Sequence, residues 1–164
     1  MTRTDLTNVS CSIARTVGLL DDAWSWLIVR DLSVGIRRFD ELHIDLAVSR
    51  KVLSRRLADL IDSGVAERTR YQDNPPRYDY SLTDKGHGLI PVLVAMVQWG
   101  DRWEPTAAGP PMRFHHRSCR HSTITACCQT CGRPVAEADI VITPGPGGRA
   151  GPGTALIGRY LTRP

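Results

Sequence analysis

Apolar residues first recur at helical spacing along the chain and then switch to alternation, and that switch divides the sequence into elements. Trp24, Leu27, Ile28 and Leu32 lie three or four residues apart behind Asp21 and Asp22. This predicts a core helix over residues 22–32 whose acidic start suits the positive end of the helix dipole. After a turn containing Gly35, the stretch Arg38-Phe39-Asp40-Glu41-Leu42-His43 reads as a short helix. A longer helix is predicted from Ser49, a residue type suited to the N-cap, to Asp62, with Ser63-Gly64 as its stop. Leu53, Leu57, Leu60 and Ile61 share one face of it. At about 100° per residue Lys51 and Arg55 point away from that face, and Arg50, Ser54 and Arg56 flank the outer side. Residues 65–71 and 77–82 alternate, which predicts two strands joined at Gln72-Asp73-Asn74-Pro75-Pro76, a hairpin with a proline-stiffened tip carrying Arg70 and Arg77. Thr83 then caps a final helix running to about Glu104, bent or restarted at Pro91, which cannot donate an interior hydrogen bond. Two apolar stripes run along that helix, Ile90, Leu93, Val94 and Val97 on one side and Leu89, Val92, Met96, Trp99 and Trp103 on the other. One domain wall covers one stripe, so the second predicts a partner subunit.

The order helix, helix, short helix, basic helix, hairpin, helix is that of a winged helix-turn-helix, a mainly α fold with a small β-hairpin wing. In this fold the helix over residues 49–62 enters the major groove of double-stranded DNA. Ser49, Arg50, Lys51, Ser54, Arg55 and Arg56 would then lie near bases and phosphates, with Arg70 and Arg77 over the backbone. Global charge does not carry this expectation. The 164-residue chain has a net charge of +4, but up to Glu104 it holds 14 basic and 15 acidic residues, and the excess lies in the remainder. What points to DNA is local: four basic residues and no acidic one in the first two turns of one helix.

The residues also resemble the HxlR-type branch of winged-helix transcription regulators, related more loosely to MarR-type proteins. The matching landmarks are an early Cys11, Trp24 in its helix, Arg37-Arg38-Phe39-Asp40-Glu41-Leu42, and Ser49-Arg50-Lys51-Val52-Leu53-Ser54-Arg55-Arg56-Leu57. They continue through Asp62-Ser63-Gly64-Val65, the wing Pro75-Pro76-Arg77-Tyr78-Asp79-Tyr80-Ser81-Leu82-Thr83, and Gln98-Trp99-Gly100-Asp101. The resemblance implies a homodimer on an inverted-repeat operator, with terminal helices forming much of the dimer interface. It departs from the family pattern where Ser12 follows Cys11 in place of proline. It departs again where Asp22-Ala23 replaces the commoner Gly-Lys, which removes a positive charge. In some members a cysteine at the place of Cys11 senses oxidants or electrophiles. The bland alternative is a small hydrophobe packed at an interface.

Four further cysteines, Cys119, Cys127, Cys128 and Cys131, fall close together beyond the Pro/Gly run of residues 105–111. Cys128-Gln129-Thr130-Cys131-Gly132 is a CxxCG knuckle and His116-Arg117-Ser118-Cys119 an HxxC pair. His116, Cys119, Cys128 and Cys131 would make a tetrahedral structural Zn2+ site in a small zinc-ribbon-like appendage, with residues 122–126 as a returning strand. His115 or His121 could replace His116, and Cys127 could replace Cys128. A redox switch, a disulfide and unliganded thiols are the competing readings. The expected organisation is therefore a DNA-binding domain over residues 8–104, a linker over 105–111, the Cys/His-rich extension over 112–143 and a Gly/Pro-rich flexible tail over 144–164.

No GxSxG, Walker-type GxxxxGK[ST], HExxH or strand-borne GxGxxG motif is present, so no enzyme and no organic cofactor are expected. The first twenty residues lack the basic start and continuous apolar run of a signal peptide, and the most apolar stretch, residues 89–99, is about half the length of a membrane span. A cytoplasmic protein without membrane contact is the expectation. The rival from another class is a winged-helix interaction module whose Cys/His extension holds a protein partner.

Overall fold

The computed structural model describes residues 6, 9–112, 114, 126–128, 130–135, 140, 142, 143, 145, 146 and 154. Among these the chain groups into two units divided after Gly86, the described residues from Ile142 onward joining the first.

In the first unit, α1 (Ser12–Leu19), α2 (Ala23–Val34), α3 (Phe39–Leu46) and α4 (Arg50–Asp62) precede the hairpin β1 (Ala66–Gln72) and β2 (Arg77–Leu82), and α5 (Asp84–His87) begins at its end. Asp22 caps α2, its carboxylate accepting from the Trp24 and Ser25 N–H groups at 2.9 and 3.2 Å. The helix ends at Gly35 in the left-handed region, φ 96°, where a side chain would be strained. Its buried face is Ser25, Ile28, Val29, Asp31 and Leu32. Trp24, expected in the core, is instead 36% exposed. Spacing placed the stripe correctly at Ile28 and Leu32, but the closely packed side of the first turn accommodates the small Ser25 and leaves the indole outside.

Leu42 and Leu46 of α3, Leu53, Leu57 and Leu60 of α4, and Val65, Ala66, Tyr80 and Leu82 around the hairpin complete the core. Burying each leucine or valine among them contributes about 1.5–3 kcal/mol. Ile61, the fourth apolar residue of α4, is only half-buried. The short helix runs three residues further than its sequence suggested, to Leu46. Its end is set by Ala47 in the left-handed region, φ 49°.

The strands pair antiparallel from Ala66 with Leu82 to Gln72 with Arg77, with an irregularity between Arg70 and Gln72. Just before α3, Arg37 and Arg38, the latter expected within the short helix, add a short edge to this hairpin. Arg38 bridges Asp79, and the Tyr80 N–H donates to the Arg37 carbonyl at 2.9 Å. Beyond β2 the Thr83 hydroxyl donates to the Gly64 carbonyl at 2.6 Å, and Lys85 Nζ donates to the Ser63 carbonyl at 2.6 Å. Gly86 sits where a Cβ would run into the Val65 carbonyl oxygen.

The second unit contains α6 (Ile90–Trp103). The final helix of the sequence reading is thus two helices, interrupted after His87 and restarted with Pro91 in its first turn, where the missing N–H costs nothing. Leu93 is buried, whereas Val92, Met96, Trp99 and Trp103 of the second predicted stripe are exposed and its Leu89 is half-buried. Further on, the Val135 N–H donates to the Ala126 carbonyl and the Cys128 N–H to the Arg133 carbonyl, both at 2.9 Å, and Cys127 bridges Pro134. These contacts make a tight hairpin around the CxxCG sequence. The strand expected over residues 122–126 lies outside the described residues except for Ala126. Among the described residues no helix is long and apolar enough to cross a membrane.

Candidate nucleic-acid interface

The helix-turn-helix is built by α3, a turn at residues 47–49, and α4. His43 Nδ1 lies 2.7 Å from the Val48 carbonyl, and Val48 is buried, so the turn is tied to the helix before it. Ser49 Oγ accepts from the Val52 N–H at 3.3 Å and starts α4. Because Leu53, Leu57 and Leu60 are held inward, the opposite face is fixed in direction: Lys51, Ser54 and Arg55 are exposed. Among the described residues neither Lys51 nor Arg55 has an acidic partner within 4 Å. This is a row of unspent cations and a hydroxyl on a rigid helix.

The other two arginines of α4 are committed differently. Arg50 pairs with Asp40 on α3 at 2.7 Å and lies over the Phe39 ring, 5.5 Å from its centroid, but both members of the pair remain open to solvent. Arg56 turns inward. It lies 3.1 Å from Asp22, 3.2 Å from Asp59 and 3.7 Å from Asp21, and its side chain is 19% exposed. Expected to lie near DNA, Arg56 instead joins α4 to the capped start of α2. The sequence offered a signal that was read only as a helix start: the adjacent acids Asp21 and Asp22.

On the wing, Arg70 and Arg77 are both exposed near the tip. Arg70 Nε is 3.1 Å from an Asp73 carboxylate oxygen, and its guanidinium donates to the Gln72 and Asp73 carbonyls. These bonds stiffen the turn and hold the Arg70 charge at it. Sequence reasoning missed the strut beneath the wing. Arg38 pairs with Asp79 at 2.8 Å and lies over the Tyr71 ring, 3.6 Å from its centroid, so it links the start of α3 to both strands. Arg68 over Tyr78, at 4.6 Å, adds a second cation–ring contact on the hairpin.

Behind this surface Asp31 is 1% exposed on α2 and paired with Arg30, which also reaches Asp45. Burial pushes its carboxyl above the usual range, Arg30 opposes that, and the Asp45 charge reinforces it. Cys11 occupies the N-cap of α1 with its thiol partly exposed, and Arg15, one turn on, directs its guanidinium to the Val9 carbonyl and Ser12 Oγ, both at 3.1 Å.

In the extension, backbone N–H groups of Cys131 and then Thr130 hold the Cys128 thiol below its ordinary value, with the Cys131 thiol contributing. His116 and Cys119, the other half of the expected zinc set, lie outside the described residues, as do His115 and His121. Among the described residues no three potential ligands gather at one point.

Packed helices, a two-stranded antiparallel hairpin and a basic helix presented beside that wing define a winged helix-turn-helix protein. The chain belongs to the HxlR-like helix-turn-helix family, whose model matches residues 19–108. It is similar to an HTH-type transcriptional regulator of Mycobacterium tuberculosis, Rv3095, with 35% identity over 140 residues, 85% of this chain and 89% of the relative. Among solved structures it is similar to the transcription factor PA1607, with 30% identity and a TM-score of 0.75 over 87% of this chain and all of that one. It is also similar to the redox regulator HypR in its oxidised form, with 28% identity and a TM-score of 0.51 over 56% of this chain and 96% of that one. The protein is a transcriptional regulator of the HTH type, and DNA is the partner its family and fold define.

Proposed function

We propose that the protein acts as a homodimer on an inverted-repeat operator. Each α4 enters a major groove with Lys51, Ser54 and Arg55 toward base edges, while Ser49, Arg50 and the wing residues Arg70 and Arg77 face phosphates. The observation that carries this reading is the outward row on α4, fixed in direction by three buried leucines on the opposite face and free of acidic partners among the described residues. Pairing of two chains is supported by the exposed Val92, Met96, Trp99 and Trp103 on α6. Apolar side chains repeated along one helix in this way are characteristic of a surface that another chain covers.

Binding to a duplex carrying the native site, followed by fluorescence anisotropy over a range of salt, tests the assignment. Arg55→Ala is expected to weaken the native site by about 1–3 kcal/mol and to reduce discrimination at one base position. Arg77→Ala is expected to weaken all duplexes alike and to lower the salt slope by about 1 for each contact removed. Equal behaviour of the two variants would remove the division between reading and anchoring residues. Cys11 is proposed to carry thiol sensing. It lies at a helix N-terminus with a partly exposed thiol, and the similar HypR is a redox regulator. A mild thiol oxidant should then change operator affinity in the wild type and leave Cys11→Ser unaffected.

A further inference from the structure

The hairpin around Cys128 closes a short loop. Its arms are joined by the Val135 N–H to the Ala126 carbonyl and the Cys128 N–H to the Arg133 carbonyl, both at 2.9 Å. Within them the Gly132 N–H donates back to the Cys128 carbonyl at 2.8 Å. Gly132 sits at φ 70°, a left-handed conformation that any side chain would strain. The chain therefore reverses inside Cys-x-x-Cys-Gly, so that Cys128 and Cys131 stand on one closed turn. Neither cysteine is bonded in a disulfide, Cys128 is half-buried and Cys131 is exposed, so the pair is open to an ion from solvent.

We propose that Cys128 and Cys131 are two thiolate ligands of one thiophilic divalent cation of the zinc class, held by the hairpin of residues 126–135. The donor chemistry selects the ion. Among the described residues of this hairpin the only metal-ligating side chains are cysteines, and sulfur donors favour zinc over magnesium or calcium. A left-handed glycine directly after the second cysteine lets the chain turn back without strain, which keeps both sulfurs on the same short loop. A disulfide oxidoreductase uses its CxxC at the start of a helix, where the helix supports the attacking thiolate. Here the CxxC lies in a hairpin loop, and no helix follows it among the described residues. Cys127 bridges Pro134 on the arm of the hairpin, outside the reversal, and is not one of the two ligands.

The full-length chain, reduced and stripped of metal, would be titrated with Zn2+ against a chromophoric chelator and separately with Co2+, whose thiolate charge-transfer absorption reports sulfur ligation. The expected result is about one ion per chain and a thiolate–cobalt band, both retained by Cys11→Ser and Cys127→Ser. Cys128→Ser and Cys131→Ser should each abolish the band and lower Zn2+ affinity by more than the about 10- to 100-fold that loss of a supporting hydrogen bond gives. Far-UV circular dichroism of each variant separates loss of a ligand from loss of the fold. Absence of stoichiometric binding by the wild type, retention of the band by the Cys128→Ser/Cys131→Ser double variant, or dependence on Cys127 in place of Cys128 would each overturn the assignment.

Discussion

Arg56 separates two accounts of the basic helix, because a cation on α4 serves either DNA or the fold. Its guanidinium meets Asp22 at 3.1 Å and Asp59 at 3.2 Å, with Asp21 at 3.7 Å, and its side chain is 19% exposed. Replacing it by alanine leaves three carboxylates facing one another without their cation. An exposed pair is worth about 0–1 kcal/mol, and breaking a fully buried one costs about 3–5 kcal/mol. With two close contacts, one loose contact and partial solvent screening, Arg56→Ala should cost about 2–3 kcal/mol. For a chain of this length that corresponds to a fall in melting temperature of about 5–10 °C. Thermal unfolding by circular dichroism measures it. The loss should narrow in about 1 M salt, where screening acts over about 3 Å and the orphaned carboxylates repel less. A double-mutant cycle with Asp59→Ala should show coupling, since the two side chains share one contact. Unfolding indistinguishable from the wild type, accompanied by weaker DNA binding and a shallower salt slope, would refute the structural role and return Arg56 to the phosphate contacts.

Three further outcomes follow from particular contacts. Gly86→Ala places a Cβ against the Val65 carbonyl and 3.1 Å from the Leu82 side chain, and should destabilise by about 1–3 kcal/mol in chemical denaturation; an unchanged midpoint would show that the backbone there yields freely. Asp31 has a folded-state pKa raised above its unfolded value, so the folded chain binds its proton first, and the cost of the buried charge, present at neutral pH, disappears as pH falls through the raised pKa. The wild type should gain stability relative to Asp31→Asn as pH is lowered through that window, and a pH-independent difference would contradict the shift. Asp40→Asn removes the acid that holds Arg50 at 2.7 Å and a negative charge beside the helix-turn-helix, so duplex affinity should rise with a steeper salt dependence; weaker binding would show that the pair positions Arg50 for its phosphate.

Elements whose signals are local were legible from the sequence. Ser49 caps α4, its leucines lie on one face, and Pro91 restarts the final helix, each because the determining residues are within a turn of one another. Trp24 was misread because hydrophobic spacing locates a stripe but not which edge of it meets the closest neighbour, and Ser25 takes that edge. The Arg37–Arg38 edge was missed since a pairing this short displays no alternation. Arg56 was misdirected by helical geometry alone: its angle on α4 puts it beside Arg55, while its orientation is decided by Asp22, far away in sequence. Of the candidate interface, the sequence therefore revealed which helix presents cations, and the structure showed which cations are presented.

That division explains how a nearly neutral stretch of chain can present a basic helix face. Up to Glu104 the chain holds 14 basic and 15 acidic residues, so a positive surface cannot arise from excess charge. It arises from the placement of the acids. Asp21, Asp22 and Asp59 engage Arg56; Asp31 and Asp45 engage Arg30; Asp79 engages Arg38. Each of these pairs fastens one element to another or braces a helix from within, and each offsets a cation with a nearby acid. Lys51 and Arg55 are left outward on a helix whose first two turns contain no acid. A focused field of this kind is short-ranged at physiological ionic strength, where screening acts over about 8 Å. On the proposed docking of α4 in the groove, such a field would reward close approach more than long-range attraction, and the outer row would weigh more in site choice than the chain's net charge.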